Sequence, residues 1–331
     1  SAAMFVAAIS AWYLLRGRHL DIAKRSMAVA ASFGLAASLS VVVLGDESGY
    51  LSTEHQKMKL AAIESMWETE PPPASFNVVA WPDQEARRNA FQVQIPWVMG
   101  LIGTRSISKE MPGINDLVAS AQRRIENGMR AYAALERVRA NPDDQVARAE
   151  FSANWQDLGY GLLLKRYRED VQNATPEQVR VAALDTVPSV MPMFWTFRIM
   201  VAVGFYFIAF FAYAFWKVST GRIQDSRRFL KLAVWSVVLP WLAAQCGWFV
   251  AEFGRQPWVI EGVLPTFYAV SGLSALDLVI SLLVFFVLYT TLAIVGFRLL
   301  LKAIRKGPEE PSGASADAPG VQADPAMLTA H

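Results

Sequence analysis

The chain has 331 residues, 53% of them apolar and 18% charged, with a formal net charge of +2. That composition lies above the usual apolar share of a water-soluble domain and excludes a disordered polyelectrolyte. The near-zero charge gives no reason to expect nucleic acid as a partner, and a single cysteine, Cys246, excludes an internal disulfide.

In chain order, residues 1–15 form an apolar run too short to cross a bilayer, with neither a basic leader nor a small-residue cleavage site. They read as the remaining end of a spanning helix, so the sequence is expected to be a fragment. Four longer runs free of charge follow, at residues 26–45, 199–216, 232–251 and 278–297. Each approaches the roughly 20 residues that a helix needs to cross the hydrocarbon layer. The expected fold is therefore an all-α integral membrane protein, a bundle of four complete spans plus one truncated span.

Loop charge sets an expected orientation. Arg16, Arg18, Lys24 and Arg25 oppose Asp21 between the first two spans. Lys217, Arg222, Arg227, Arg228 and Lys231 oppose Asp225 between the third and fourth, and Arg298, Lys302, Arg305 and Lys306 follow the fifth. Short basic loops stay cytoplasmic. This puts the carboxyl terminus inside and the long segment 46–192 outside, as a partly helical extracytoplasmic loop.

Within that segment, Leu60, Ile63 and Met66 recur at three-residue steps and predict a helix over 56–66, ended by Pro71-Pro72-Pro73. Residues 113–140 predict an amphipathic helix with Ile114, Leu117, Val118, Ala121 and Ile125 on one face, broken by Asn141-Pro142-Asp143. A short helix is expected over 145–157, and Thr175-Pro176-Glu177 is a helix start. From Gly307 onward Pro, Gly, Ala, Ser and acidic residues predict a disordered tail. The expected divisions are 1–45 for the first two spans, 46–192 for the loop, 193–303 for three spans and 304–331 for the tail.

Few residues in this pattern carry chemistry. Glu252 ends the fourth span in Gly247-Trp248-Phe249-Val250-Ala251-Glu252-Phe253-Gly254-Arg255-Gln256-Pro257-Trp258 and shares a helical stripe with Gln245 and Trp248. A carboxylate at a membrane boundary needs a cation or a metal. Either Glu252 pairs with Arg255, or it serves as a ligand or proton-transfer group in an aromatic-walled pocket. Met200, near the start of the third span, is either packing material or a thioether ligand of the kind low-spin haem sites use. Arg198, two residues earlier, lies about 200° round the helix from it. Asp277 suits the positive end of the fifth span. Lys59 and Glu64 are either the wet side of a surface helix or contacts for the head group of a lipid-soluble substrate. The three histidines, His19, His55 and His331, lie outside the charge-free runs, and no phosphate loop or cysteine pair is present.

Six segments together resemble one family: Gly45-Asp46-Glu47-Ser48-Gly49-Tyr50, Lys59-Leu60-Ala61-Ala62-Ile63-Glu64, Trp67-Glu68-Thr69, Asp157-Leu158-Gly159-Tyr160-Gly161-Leu162-Leu163-Leu164-Lys165-Arg166-Tyr167, Phe197-Arg198-Ile199-Met200 and Gly254-Arg255-Gln256-Pro257-Trp258. They are similar to subunit I of cytochrome bd quinol oxidase, from Ser1 to about Gly307. The resemblance implies an inner-membrane terminal oxidase that oxidises ubiquinol at the outer face and reduces O2 to water by a redox loop. It implies low-spin haem b, high-spin haem b and haem d. It also implies an oxidase subunit II as partner and leaves a small accessory subunit open. Met200, with Arg198 nearby, would be a low-spin haem b ligand, Glu252 the high-spin haem b ligand, Trp248 would lie between the haems, and Arg255 would be a further cofactor-binding residue. Lys59 and Glu64 match quinol-contacting positions of the long Q loop. The histidine ligands and proton-route acids of the family's first four spans have no counterpart here, so this chain is not expected to hold three haems by itself. The rival readings are a transporter or channel subunit lined by Glu252, Arg198 and Asp277, and a membrane-anchored sensor. Broken mid-membrane helices and internal repeats, which mark many transporters, are lacking.

Overall fold

A computed structural model describes residues 1–308, and the tail expected to be disordered falls from residue 309 onward outside the described residues. Four helices are long and apolar enough to cross a membrane: α2 (Leu20–His55), α8 (Val190–Ser219), the segment Arg227–Phe253 and α11 (Ala275–Lys306), with the shorter apolar α1 (Ala2–Arg16) ahead of them. This is the expected bundle. Helix α1 packs on α2 and on α9 (Arg227–Trp235); α2 packs on α8, and α8 on α10 (Leu239–Phe253). At the α2–α8 crossing a Cβ on Gly34 would lie 2.5 Å from the Phe211 ring, so glycine is what lets the two backbones approach. Helix α11 buries none of its residues, and Tyr13 Oη donates to the Ile304 carbonyl at 2.7 Å near its basic end.

The helices depart from the charge-free runs for local reasons. Helix α2 does not stop at Gly45 but continues through Asp46, Glu47 and Gly49 to His55. Arg105 holds this extension, its Nη2 lying 2.7 Å from both Asp46 and Glu47. Helix α8 starts at Val190, with Pro192 inside its first turn, where no backbone donor is missed. In the fourth span Pro240 lacks the N–H that would bond back to Ser236, and residues Ser236–Val238 tighten into a 3₁₀ turn between α9 and α10.

The long segment is mostly helical, as expected. It comprises α3 (Lys57–Glu64), α4 (Ile114–Ala140), α5 (Gln145–Asn154), α6 (Leu158–Leu162) and α7 (Pro176–Leu184), and α7 opens with a capping box between Thr175 and Gln178. The apolar stripe of α4 buries Ile114, Val118, Ala121 and Ile125 against Leu60, Ile63, Leu163 and Val179. The structure adds two antiparallel hairpins that the periodicity did not suggest. Strands β1 (Phe76–Asp83) and β2 (Arg88–Ile95) pair beside α8, and β3 (Trp258–Ile260) and β4 (Leu264–Pro265) pair after α10.

Candidate functional site

The site residues gather where the long segment meets the ends of α8 and α10, opposite the basic loops. Met200 and Glu252 arrive on antiparallel neighbours, α8 and α10. A Cβ on Gly247 would stand 3.1 Å from Met200 Sδ, so the thioether lies in a hollow made by the missing side chain. The next residue, Trp248, is 65% exposed and points away from the protein core. Glu252 and Arg255 form an ion pair through Oε2 and Nη2, with the carboxylate side chain 43% exposed. The pairing expected for a helix end is therefore made, yet Arg255 Nε is buried with no hydrogen-bond partner among the described residues.

Arg198 points away from Met200, as the helical angle requires. Its Nη2 lies 2.7 Å from Glu64 Oε2 and also donates to the Asn77 carbonyl, with the rings of Phe194 and Phe76 centred 4.4 and 4.6 Å from the guanidinium. Only 4% of the Glu64 side chain and 11% of that of Arg198 is exposed. Burial pushes the Glu64 carboxyl up from its ordinary value, and the Arg198 charge pulls it back. This pair ties α3 and β1 to the same stretch of α8 that carries Met200.

Lys59 and Glu64 therefore do not act on one space. Five helical positions separate them by about 140°, and Lys59 turns into a cavity of about 360 Å³ that Glu64 does not line. Its walls include Arg124, Tyr160, Arg255, Trp258 and Glu261. The Lys59 stem lies on α10's end, Cγ being 2.7 Å from where a Cβ on Gly254 would sit. Burial lowers the Lys59 ammonium from its ordinary value and Arg255 adds to this, while Glu261 and Glu252 oppose it. The back wall is tied together: Arg124 Nε contacts Asp157 Oδ1 at 2.6 Å, its guanidinium covers Tyr160 at 4.0 Å, and the Tyr160 and Trp258 rings pack at a 56° tilt with centroids 4.9 Å apart.

Three of the six resemblance segments thus meet in space. Asp157 and Tyr160 from the central motif, Lys59 from α3, and Arg255 and Trp258 from the Gly254–Trp258 motif share this one cavity wall system. Arg124 and Glu261 were not singled out in the sequence. Arg124 lies off the apolar stripe of its helix, where arginines are ordinarily solvated, and Glu261 sits in a turn with Gly262, where a Glu-Gly pair carries no special signal. Asp277, by contrast, closes the α11 amino terminus, its N–H bonding Ser274 Oγ at 3.2 Å.

Comparison with known proteins defines the class. The profile of the family described as cytochrome bd terminal oxidase subunit I matches residues 1–308. The chain belongs to that family, and it is a membrane protein. It is 43% identical over 309 residues to cytochrome bd-II ubiquinol oxidase subunit 1 of Escherichia coli K12, covering 93% of this chain and 60% of that one. It is 26% identical over 314 residues to cytochrome bd ubiquinol oxidase subunit 1 of Bacillus subtilis 168, covering 93% and 54%. The fold resembles the bd oxidase structure from Geobacillus thermodenitrificans with a TM-score of 0.62 and 20% identity over 93% of this chain and 55% of that one. The chain spans little more than half the length of these relatives. Family membership leaves the transporter reading without support.

Proposed function

We propose that this chain serves in a terminal oxidase of a respiratory chain, in the bacterial inner membrane, that oxidises ubiquinol and reduces O2 to water. The long segment faces the periplasm and the basic loops the cytoplasm, in line with the loop charges. Oxidase subunit II is the partner, alongside any small accessory subunit. Protons leave quinol on the periplasmic side and those consumed by O2 come from the cytoplasmic side. Charge then separates without any proton crossing the whole membrane.

The single observation that carries this reading is the seating of Lys59 on Gly254. It joins the wall of a ligand-sized cavity directly to the helix end that bears Glu252 and Arg255. The Lys59 ammonium, facing the cavity, is suited to a quinol oxygen, and Tyr160 and Trp258 give the ring flat apolar walls. Glu64 acts at one remove, by holding Arg198 and so pinning α3 to α8.

The donor chemistry fits haem. Met200 Sδ would hold low-spin haem b and the Glu252 carboxylate high-spin haem b, each supplying one donor atom. The unpaired Arg255 Nε can donate to a propionate, and Arg198 and Trp248 flank the two positions. Neither described histidine lies midway along a spanning helix, so these helices offer one donor for each iron, and haem d is assigned no residue of this chain. Bound haem supplies one-electron acceptors and the centre that reduces O2. Arg255 holds Glu252 through Oε2, so Oε1 could be offered to iron while the arginine keeps its charge beside the carboxylate.

The test uses the whole oxidase. Lys59→Met should raise the quinol KM roughly tenfold to a hundredfold, the worth of one charge-assisted hydrogen bond. Turnover with an artificial donor that bypasses the cavity should stay within about twofold of wild type. Equal loss with both donors would refute the docking role.

A further inference from the structure

Lys59 is not the only group in the cavity without a protein partner. Glu261 lines the same walls, and among the described residues no hydrogen bond or ion pair holds either its carboxylate or the Lys59 ammonium. Every other carboxylate at or beside the cavity is engaged: Glu54 faces Lys109 at 3.5 Å, Asp157 holds Arg124 at 2.6 Å, and Glu252 holds Arg255. A partly buried ammonium and an unpaired carboxylate facing one space suit a ligand whose oxygen both accepts and donates a hydrogen bond.

The backbone fixes this carboxylate rather than leaving it on a loose loop. Glu261 stands at the turn between β3 and β4, next to Gly262 at φ +72°, a conformation that suits glycine. A Cβ on Gly262 would come 3.1 Å from the Tyr160 ring, and Gly159 meets the Gly262 carbonyl from the other side. The turn is thus wedged between α6 and the wall of the cavity. Arg124, Lys59 and His55 face Glu261 from α4, α3 and the end of α2, and Tyr160 from α6. The side chain stays open at the cavity mouth, yet the walls around its carboxyl raise it above the ordinary carboxylate value, against the pull of those three cationic groups.

We propose that Glu261 is the first proton acceptor for quinol bound beside Lys59, an assignment that rests on the docking reading above. In this step the phenolic O–H bond breaks, its electron pair stays on oxygen, and the proton passes to a Glu261 carboxylate oxygen. The products are a quinol monoanion, stabilised by the Lys59 ammonium, and a neutral Glu261. Being at the mouth, Glu261 then returns its proton to the aqueous side rather than to the membrane interior. A carboxyl held above its ordinary value is a better match to a phenol than a free one, which is the condition for efficient proton transfer.

The test compares Glu261→Gln, Glu261→Asp and Lys59→Met in the complete oxidase. Three quantities are measured: quinol kcat and KM from pH 5 to 9, turnover with an artificial donor, and equilibrium binding of a quinone-site inhibitor. Glu261→Gln should lower quinol kcat about a hundredfold, the usual size of a general-base contribution. KM should stay within about threefold. The acid limb of the pH profile, where the carboxyl becomes protonated, should disappear. Glu261→Asp should keep that limb, and both variants should turn over the artificial donor normally. If Lys59→Met weakens inhibitor binding while Glu261→Gln leaves kcat and the acid limb intact, the proton acceptor is elsewhere and the proposal is overturned. If Lys59→Met leaves inhibitor binding unchanged, the docking reading itself fails and takes the proposal with it. A Glu261→Gln enzyme slow with both donors would mark a structural residue and also overturn it.

Discussion

The Glu64–Arg198 pair makes a quantitative prediction because it is almost fully buried and joins α3 to α8. Glu64→Gln keeps the side-chain volume but removes the only carboxylate paired with the Arg198 guanidinium among the described residues, leaving that charge buried beside the Asn77 carbonyl, Phe76 and Phe194. Removing one member of a buried ion pair typically costs about 3–5 kcal/mol, because the remaining charge stays desolvated. The cost should fall on the docking of α3, whose other anchors are apolar contacts from Leu60, Ala61 and Ile63. Local opening of α3 should then become more frequent by a factor between about a hundred and a few thousand, at 1.4 kcal/mol for each tenfold step. Amide hydrogen exchange within α3 of the whole oxidase reads this directly. Replacing both partners, Glu64→Leu with Arg198→Met, leaves no stranded charge, and most of the protection should return. Two results would refute the reasoning: unchanged exchange in Glu64→Gln, or a double variant as labile as the two single changes summed.

Two further outcomes follow from the same geometry. Met200→Leu should abolish the low-spin haem b bands in the reduced-minus-oxidised spectrum of the full oxidase while leaving the other haem bands largely intact, and an unchanged spectrum would remove Met200 as a ligand. Tyr167 donates to Asp185, and burial together with that bond raises its hydroxyl to about 12. Because the folded protein holds this proton more tightly than the unfolded chain, the stabilisation is complete below about pH 10 and is lost as pH rises through 12. Tyr167→Phe should therefore flatten the loss of thermal stability over that window. The effect will be well under what a buried group would give, since the ring is only partly covered; a slope identical to wild type would refute it.

Much of the bundle was legible because lipid imposes a simple rule: residues 199–216 and 278–297 lack charges, and the helices that contain them are α8 and α11. The α4 stripe and the Thr175 cap were equally local signals, and both appear where expected. The β1–β2 hairpin was legible in principle, since Phe91, Val93 and Ile95 alternate with polar residues, but Pro82 and the register shift at Trp81 interrupt the pattern on the partner strand. The end of α2 was misplaced because charge marks the hydrocarbon boundary and not the end of a helix. The cavity could not be read at all. Lys59 and Glu261 are some 200 positions apart in the chain, and only the close glycine contacts that fold α6 against the last hairpin bring them to one wall. Likewise, nothing in the spacing of Lys59 and Glu64 tells which faces the ligand space and which the buried arginine; that is decided by what packs against α3.

Helix α2 runs unbroken for 36 residues, about 54 Å at 1.5 Å per residue. It begins among the basic loop residues and ends at His55 on the rim of the cavity. Such a rod behaves as a lever. A tilt of only a few degrees where α1 and α2 meet would carry its far tip several ångströms, widening or narrowing the entrance beside Lys59 without any loop changing shape. Motion at one end of the helix would thus be felt at the other.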